Sequence, residues 1–228
     1  MRASSPLLSG AGVALLAFLL LATVLAVAAK EYVAPRAYHA KTYPARDEHP
    51  QENVTIAADP YDMPDKAAIF TLPYKERGLL PVYLIITNDG DQPISLSDMK
   101  VQLVTARKDK LFPADSDDLR RRFSRLKRRP GEPDTRSPLP IPLPRRTPQG
   151  TISREGLDEI QNAMFQARAV EPKSTQAGFL FFDVSDLEHP LAGAHLYVTG
   201  VRDADAHELM YFEIAMEKYL TYRPGQAR

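Results

Sequence analysis

Metal ligation is the first chemistry that the histidine and carboxylate residues suggest. His207 and Glu208 begin a segment that resembles the zinc motif H-E-x-x-H, but Tyr211 occupies the position of the second histidine. The segment also falls in a predicted strand, where residues four positions apart do not form the ligand pair that a helix provides. The sequence has no nucleophile elbow, phosphate-binding loop or EF-hand loop either. We therefore expect no catalytic residue, no metal site and no cofactor.

The remaining histidines and several aspartates are expected to have structural roles. His39 and His49 occur in one segment, together with Asp47 and Glu48. This segment has no scaffold that would fix a ligand geometry, so we interpret both histidines as surface residues. Without the spacing of an EF-hand loop, acidic residues near strand ends favour turns over calcium binding. That interpretation applies to Asp183, Asp186, Asp203 and Asp205.

A short basic amphipathic helix is predicted after residue 115. Leu119, Phe123 and Leu126 recur at the spacing of one helical face. Acidic residues at its start and basic residues at its end suit the helix dipole, and Ser116 is the predicted N-cap. Basic residues occupy the rest of the circumference: Arg120, Arg121, Arg122, Arg125, Lys127, Arg128 and Arg129.

Two interpretations of this basic helix are open. In the first, its basic residues contact an anionic surface such as lipid headgroups, and each contributes about 1 kcal/mol near an anionic membrane. In the second, the apolar face docks on the rest of the protein and the basic side chains are solvated. Three apolar residues are few for interfacial insertion, which favours docking. The helix lacks the aromatic interleaving that favours nucleic acid as a partner.

A proline-rich segment follows the basic helix, because 7 of the chain's 20 prolines lie in residues 130–148. The prolines of residues 138–144 repeat every two positions, whereas polyproline II repeats every three, so they do not share one face. This favours a stiff spacer over a docking site for a partner. A second helix is predicted over residues 153–167, where Leu157, Ile160 and Met164 recur at helical spacing and indicate a packing stripe.

The composition excludes several classes of protein. The 228 residues include no Cys and no Trp, so the chain is not a disulfide scaffold, a thiol enzyme or a cysteine-ligated metal protein. Hydrophobic residues make up 44% and charged residues 25%, as in globular domains. The 29 basic and 29 acidic residues balance, but residues 116–148 carry 10 basic and 4 acidic ones. A basic insertion of charge +6 therefore interrupts an acidic domain of charge −6.

The N-terminal segment predicts export. Residues 3–29 contain no charged residue, and residues 11–29 are almost wholly apolar. The apolar core is short for a membrane span and long for a signal peptide. Small residues fit cleavage after Ala28 or Ala29, which favours a signal peptide over residues 1–29, with a membrane anchor over residues 11–29 as the alternative. In both cases we expect the following chain in the bacterial periplasm or outside the cell, since no second apolar run follows.

Eight segments have the alternation or the β-branched composition of strands. They are separated by turn residues and show no strand–helix–strand rhythm, so they predict an all-β fold, an antiparallel β-sandwich whose halves pair across the insertion. The predicted organisation is an extended arm (30–52), the sandwich (53–106 and 170–220), a basic and proline-rich insertion with short helices (107–169), and a tail (221–228). The predicted strands are residues 54–57, 67–71, 81–87, 94–96, 100–106, 178–184, 195–201 and 209–214.

Two stretches of the sandwich resemble exported bacterial immunoglobulin-like modules. Residues 81–87, followed by Asn88-Asp89-Gly90-Asp91-Gln92-Pro93-Ile94, resemble their hydrophobic strand and N-x-G-x-x-P-[IV] turn. Val170-Glu171-Pro172, followed by Gly178-Phe179-Leu180-Phe181-Phe182-Asp183-Val184, is similar to their V-x-P … G-x-[LV]-x-F strand. The resemblance covers about half of the exported chain and implies an immunoglobulin-like fold. Those modules share no catalytic residues, and the long central insertion departs from them.

Together these patterns predict an exported, non-enzymatic envelope protein that acts as a binding or structural immunoglobulin-like module. The expected partner is another envelope protein or surface, with an anionic membrane surface as a further candidate. Neither nucleic acid nor a small-molecule substrate is predicted. Two alternatives stay open: a periplasmic hydrolase with dispersed active-site residues, and a membrane-surface protein that binds anionic lipid through Arg120 to Arg129.

Overall fold

The computed structural model of the protein describes residues 31–124 and 152–221. The strands are β1 (Arg46–His49), β2 (Val54–Pro60), β3 (Leu79–Asn88), β4 (Ile94–Ser95), β5 (Lys100–Val104), β6 (Lys110–Leu111), β7 (Ala169–Val170), β8 (Ser174–Asp183), β9 (His195–Thr199) and β10 (Phe212–Ala215). The α-helices are α1 (Pro64–Ala67), α2 (Ser116–Ser124), α3 (Arg154–Ala163) and α4 (Lys218–Thr221), and the 3₁₀ helices are η1 (Ala40–Thr42) and η2 (Lys75–Arg77). Among these residues, no helix has the length and apolarity that crossing a membrane requires.

Two four-stranded antiparallel sheets pack face to face and bury the main core between them. The first sheet has the strand order β1, β2, β3, β8, and the second has the order β10, β9, β5, β6. Strands β4 and β7 form a separate pair. Inward-facing residues of both sheets, such as Ile56, Leu84, Leu103 and Val198, are fully buried in one hydrophobic cluster. The predicted all-β sandwich is therefore confirmed.

The two halves of the sandwich pair through β3 and β8, on either side of the insertion. Their antiparallel register runs from Leu79 opposite Asp183 to Asn88 opposite Ser174. The pairing that the sequence predicted across the insertion is confirmed. Because β3 also pairs with β2 on its other side, it is a central strand of the first sheet.

The outer face of the first sheet is covered as well, so β3 is buried on both sides. Every residue of β2 and of β3 is buried. The continuous apolar run of β3 has this physical cause, since a strand with one solvated face would alternate instead. Residues from the N-terminal segment, from the turn around residue 72 and from α2 and α3 form the cover. Six buried aromatic rings form the contact between the cover and the sheet: Tyr61, Phe70 and Tyr74 of the cover, and Tyr83, Phe179 and Phe181 of β3 and β8.

The described ends of the insertion lie along the free edge of β8. The Ala114 N–H donates a hydrogen bond of 2.7 Å to the Phe181 carbonyl, and the Phe165 N–H donates one of 2.9 Å to the Phe179 carbonyl. Gly178 permits this approach, because a Cβ at that position would lie 2.5 Å from the Phe165 Cα. The insertion thereby covers a strand edge whose backbone groups would otherwise be unpaired.

A buried carboxylate attaches α3 to the covering layer. Glu159 is 1% exposed. It accepts hydrogen bonds from the Thr71 N–H at 2.6 Å, from the Leu72 N–H at 3.2 Å and from the Thr71 hydroxyl. Burial raises the pKa of the neighbouring Tyr74, and the Glu159 carboxylate adds to this effect. The helix on the C-terminal side of the insertion is thus held by polar bonds as well as by packing.

Both predicted helices of the insertion are present, with different ends. Helix α2 is capped by Asp115 rather than by the predicted Ser116, because the Asp115 carboxylate accepts the Asp118 N–H at 2.7 Å. Ser153 caps α3 by accepting the Gly156 N–H at 3.1 Å. The prediction extended this helix to residue 167, but it ends at Ala163 because the chain then turns to the edge of β8.

Two further predictions differ from the structure. Residues 67–71 are not a strand: they form the end of α1 and a turn that directs Phe70 into the aromatic cover. The arm predicted over residues 30–52 contains η1 and the strand β1, which pairs with β2 from Arg46 opposite Ala57 to His49 opposite Val54. All four residues of β1 are charged or histidine, so apolar alternation could not reveal it.

Several predictions concern residues outside the described part of the chain. They are the signal peptide or anchor, the proline-rich segment, and the tail beyond residue 221.

Candidate functional site

The outer face of the second sheet is open to solvent, in contrast to that of the first. Leu196 and Val198 of β9 point into the core and are fully buried. His195, Tyr197 and Thr199 alternate with them and therefore point outward. The outward side chains of β5, β9 and β10 are all half-buried or exposed, so no further layer covers this face.

Strand pairing sets which side chains lie next to one another on this face. Tyr197 lies between Gln102 of β5 and Glu213 of β10. Thr199 is opposite Lys100 of β5. Tyr211 immediately precedes β10 and is 50% exposed.

Three rings follow one another along the direction of β9. The ring centroids of His195 and Tyr197 are 6.3 Å apart, and those of Tyr197 and Tyr211 are 6.2 Å apart. The planes of the two pairs are inclined by 27° and 39°. We call the surface formed by His195, Tyr197 and Tyr211 the ring face.

Glu213 orients two of these rings. The Tyr197 hydroxyl donates a hydrogen bond of 2.6 Å to the Glu213 Oε1, and this bond raises the pKa of Tyr197. The His195 Nδ1 lies 3.0 Å from the same oxygen, an ion-pair distance, although the ring is not aligned for a hydrogen bond. The Glu213 carboxylate therefore fixes the ring face from the neighbouring strand.

Strand β10 is in turn held by the β1–β2 hairpin. The Asp47 carboxylate accepts the Glu213 N–H at 2.9 Å, and the Glu52 carboxylate accepts the Met210 N–H at 3.0 Å. His49 lies between these two carboxylates, 2.8 Å from Glu52 and 3.4 Å from Asp47. The backbone on either side of Tyr211 is thus bonded to the β1–β2 hairpin through Met210 and Glu213, which fixes where this ring stands.

An open polar groove of 500 Å³ continues the ring face at the end of β9. Thr199 and Lys100, which belong to the outer face of the sheet, also line the groove. Two basic side chains, Lys100 and Arg202, are balanced there by two acidic ones, Asp98 and Glu208. A concavity of this size admits an organic ligand.

Internal bonds shape this groove. Gly200 has φ +75°, and a Cβ there would lie 2.2 Å from the Asp98 carbonyl oxygen, so the turn requires glycine. The Gly200 N–H donates to the Glu208 carboxylate at 3.1 Å. The Arg202 guanidinium donates to the Asp98 carboxylate and to the Ala206 carbonyl, both at 2.9 Å. The polar groups are consequently positioned before any ligand arrives.

Three of the seven residues predicted for anionic-surface contact lie in the described part of α2. Arg120 is 4.0 Å from Asp117 of its own helix, and Arg121 forms an ion pair with Asp118. The remaining four residues, Arg125, Lys127, Arg128 and Arg129, lie outside the described residues, and the surface contact stays a prediction.

Arg122 of the same helix has an internal role. It forms an ion pair with Asp183, and its guanidinium donates to the Arg77 carbonyl at 2.9 Å. The bond from Arg122 lowers the pKa of Asp183 to about 2. The apolar side of the helix packs on the covering layer through the fully buried Leu119.

His39 pairs with a carboxylate of the turn after β3. Its Nε2 lies 2.8 Å from the Asp89 Oδ1, while the Lys41 Nζ donates to the Asp89 Oδ2 at 2.8 Å. These two bonds lower the pKa of Asp89. The N-terminal segment is thereby attached to the end of β3.

Asp203, Asp205 and His207 share one loop, with a candidate ligand atom of each within 4.8 Å of the others. The Asp203 carboxylate accepts the Asp205 N–H at 2.9 Å and the His207 N–H at 2.8 Å, which lowers the pKa of Asp203. Asp183 likewise accepts the Ser185 N–H at 3.1 Å. The turn roles predicted for Asp183 and Asp203 are confirmed.

Sequence reasoning missed the ring face as a candidate site. Alternation in residues 195–201 places His195 and Tyr197 on one side of a strand, so the sequence alone could have indicated these two members of the ring face. The approach of Tyr211 depends on the register between β9 and β10, which no local pattern specifies.

Comparisons of the chain with protein-family models, with curated proteins and with solved structures found no match.

Proposed function

We propose that the chain is an exported, non-enzymatic binding module of the cell envelope and that the outer face of its second sheet meets the partner. Export rests on the uncharged residues 3–29. The observation that carries the binding role is the ring face, where the exposed Tyr211 and the half-buried rings of His195 and Tyr197 stand in fixed positions beside an open groove. Exposed tyrosines on a rigid element are typical of recognition surfaces, since they give contact area at a low cost in side-chain entropy.

Binding is favoured over catalysis by the openness of this surface. Acid–base and nucleophilic catalysis depend on groups within hydrogen-bond reach of a reacting atom in a site that excludes water. The Glu213 carboxylate is instead bonded to Tyr197, and in the groove Asp98 is bonded to the Arg202 guanidinium and Glu208 to the Gly200 N–H. These groups suit the orientation of a ligand.

The proposal includes an immunoglobulin-like fold for the sandwich. It is supported by the contact between the two stretches that resemble immunoglobulin-like modules. The Asn88 side-chain amide of the first donates to the Val170 carbonyl of the second at 3.2 Å, and Ile94 pairs with Val170. A turn and a strand that are far apart in the sequence thus form one corner of the sandwich.

Site-specific photo-crosslinking in the native envelope tests the binding role. A benzophenone amino acid replaces Gln102, which lies beside Tyr197 on the open face, and in a control it replaces the exposed Asp158 of α3. The proposal predicts a discrete adduct from position 102 that the control does not give. Equal adducts from both positions, or none from position 102, would contradict it.

A further inference from the structure

The chemistry of the ring face and the adjoining groove identifies a class of partner. We infer that this surface binds a neutral glycan chain, an inference that rests on the proposed binding function. Sugar rings have apolar faces of C–H groups, and such faces pack on exposed aromatic rings. Tyr197 and Tyr211 offer rings of this kind on the open side of the sheet, 6.2 Å apart.

The groove supplies the polar half of carbohydrate recognition. Sugar hydroxyls both donate and accept hydrogen bonds. Carboxylates of Asp98 and Glu208 accept, the cationic groups of Lys100 and Arg202 donate, and the Thr199 hydroxyl does both. A site with this mixture discriminates strongly between ligands that present hydroxyl groups and ligands that lack them.

The charge of the surface argues for a neutral ligand. In the groove, two basic side chains stand against two acidic ones. On the ring face, the Glu213 carboxylate is already bonded to the Tyr197 hydroxyl. A polyphosphate or a nucleic acid would need an excess of basic residues, since its affinity comes mainly from phosphate contacts.

The arrangement also favours a chain of repeating units over a protein. The rings follow one another along β9 in steps of 6.3 and 6.2 Å and lead to the groove at its end. Protein interfaces concentrate their affinity in a contiguous apolar cluster sealed from water. Here polar side chains flank Tyr197 on both sides, Gln102 on β5 and Glu213 on β10.

Titration of the full chain with defined oligosaccharides tests the inference. The probes are the hexasaccharides of cellulose, chitin, xylan and mannan, all of which are neutral. We expect at least one probe to bind with a Kd of about 1 mM or tighter. Replacing Tyr197→Ala or Tyr211→Ala should weaken binding about tenfold, because each removes a stacking surface. Tyr197→Phe keeps the ring and loses only its bond to Glu213, so its affinity should lie closer to that of the wild type than the affinity of Tyr197→Ala does. The control Tyr38→Ala removes a ring on the N-terminal segment that is 55% exposed, close to the 50% of Tyr211, and should keep the wild-type affinity.

The outcomes separate this inference from the proposed function. Thermal unfolding of each variant first establishes that its fold is intact. If no probe binds, or if Tyr197→Ala and Tyr38→Ala bind alike, the glycan inference is wrong. A protein crosslinked at position 102 without any glycan binding would also overturn it, and the binding role would stand.

Discussion

The His49 imidazole is stacked on the Phe212 ring, with the two centroids 3.9 Å apart and the planes 14° from parallel. The two residues belong to different sheets, since His49 ends β1 and Phe212 begins β10. The imidazole also contacts carboxylates that bond the backbone on either side of Tyr211. One histidine therefore joins the edges of the two sheets next to the ring face.

Replacing this histidine should loosen the sandwich edge. We expect His49→Ala to lower the free energy of unfolding by about 2 kcal/mol, because it removes an aromatic stack and a hydrogen bond to a carboxylate. Urea denaturation measures this change. The control is His207→Ala, since the His207 side chain is 78% exposed and should change stability by less than about 0.5 kcal/mol. Equal effects of the two variants would show that the stack does not hold the edge.

Adding a single methyl group should displace the insertion from β8. In Gly178→Ala the new carbon would lie 2.5 Å from the Phe165 Cα and 2.8 Å from its N, and backbone atoms cannot move aside cheaply. We expect a loss of about 1–3 kcal/mol in stability and faster hydrogen exchange of the Phe165 amide. Gly90→Ala is the matched control, because its nearest neighbour is the Asn88 side-chain oxygen at 3.0 Å. If Gly178→Ala is as stable as this control, the close approach to Phe165 is not present in solution.

Removing the buried carboxylate of α3 should lower the free energy of unfolding. Glu159→Ala would leave the Thr71 and Leu72 N–H groups without their acceptor, at a cost of about 3 kcal/mol. Asp158→Ala changes a neighbouring exposed carboxylate and should have little effect. Chemical denaturation of both variants measures the difference. If Glu159→Ala leaves the free energy of unfolding unchanged, α3 is held by its apolar stripe alone.

The bond between Arg122 and Asp183 should affect how the free energy of unfolding depends on pH in the acid range. The pKa of Asp183 is lowered from 3.8 to about 2, so the stabilisation is present above pH 3.8 and is lost as the pH falls towards 2. Arg122→Ala should flatten the stability profile in this window relative to wild type, by no more than about 1 kcal/mol because the carboxylate is half-exposed. Arg120→Ala, which removes a basic residue of the same helix, should keep the wild-type slope. Parallel profiles for wild type and Arg122→Ala would rule out this linkage.

The sandwich was predictable because its core strands carry strong local signals. Residues 81–86 and 178–182 are apolar without interruption, and the turn residues Asn88 to Asp91 follow the first of these runs closely. The second layer over β3 was not predictable in the same way. Phe70 and Glu159 lie far apart in the sequence, and only the fold brings the turn near Phe70 against α3.

The candidate site was less predictable from the sequence than the sandwich was. A polar strand such as β1 has no apolar period, so the edge that positions Tyr211 carried no signal. The ring face needs the register of β9 against β10, which is fixed by packing of Leu196, Val198 and Ile214 in the core. The basic residues of α2 are contiguous in the sequence and therefore predicted a contact with an anionic surface. Arg122, however, bonds to Asp183 and to the Arg77 carbonyl within the fold.

Hydroxyl-radical footprinting of the protein in intact cells and after purification tests the central claim most directly. Tyr197 and Tyr211 of the ring face should be protected from oxidation in the cell, as should the adjacent Met210. Tyr211 is 50% exposed and Met210 is 65% exposed. Tyr38 and Met63 are exposed to a similar degree, at 55% and 58%, and should react equally in both states. Protection confined to the ring face is the result that a partner at this surface predicts. Equal oxidation of Tyr197 and Tyr211 in cells and in the purified protein would contradict it.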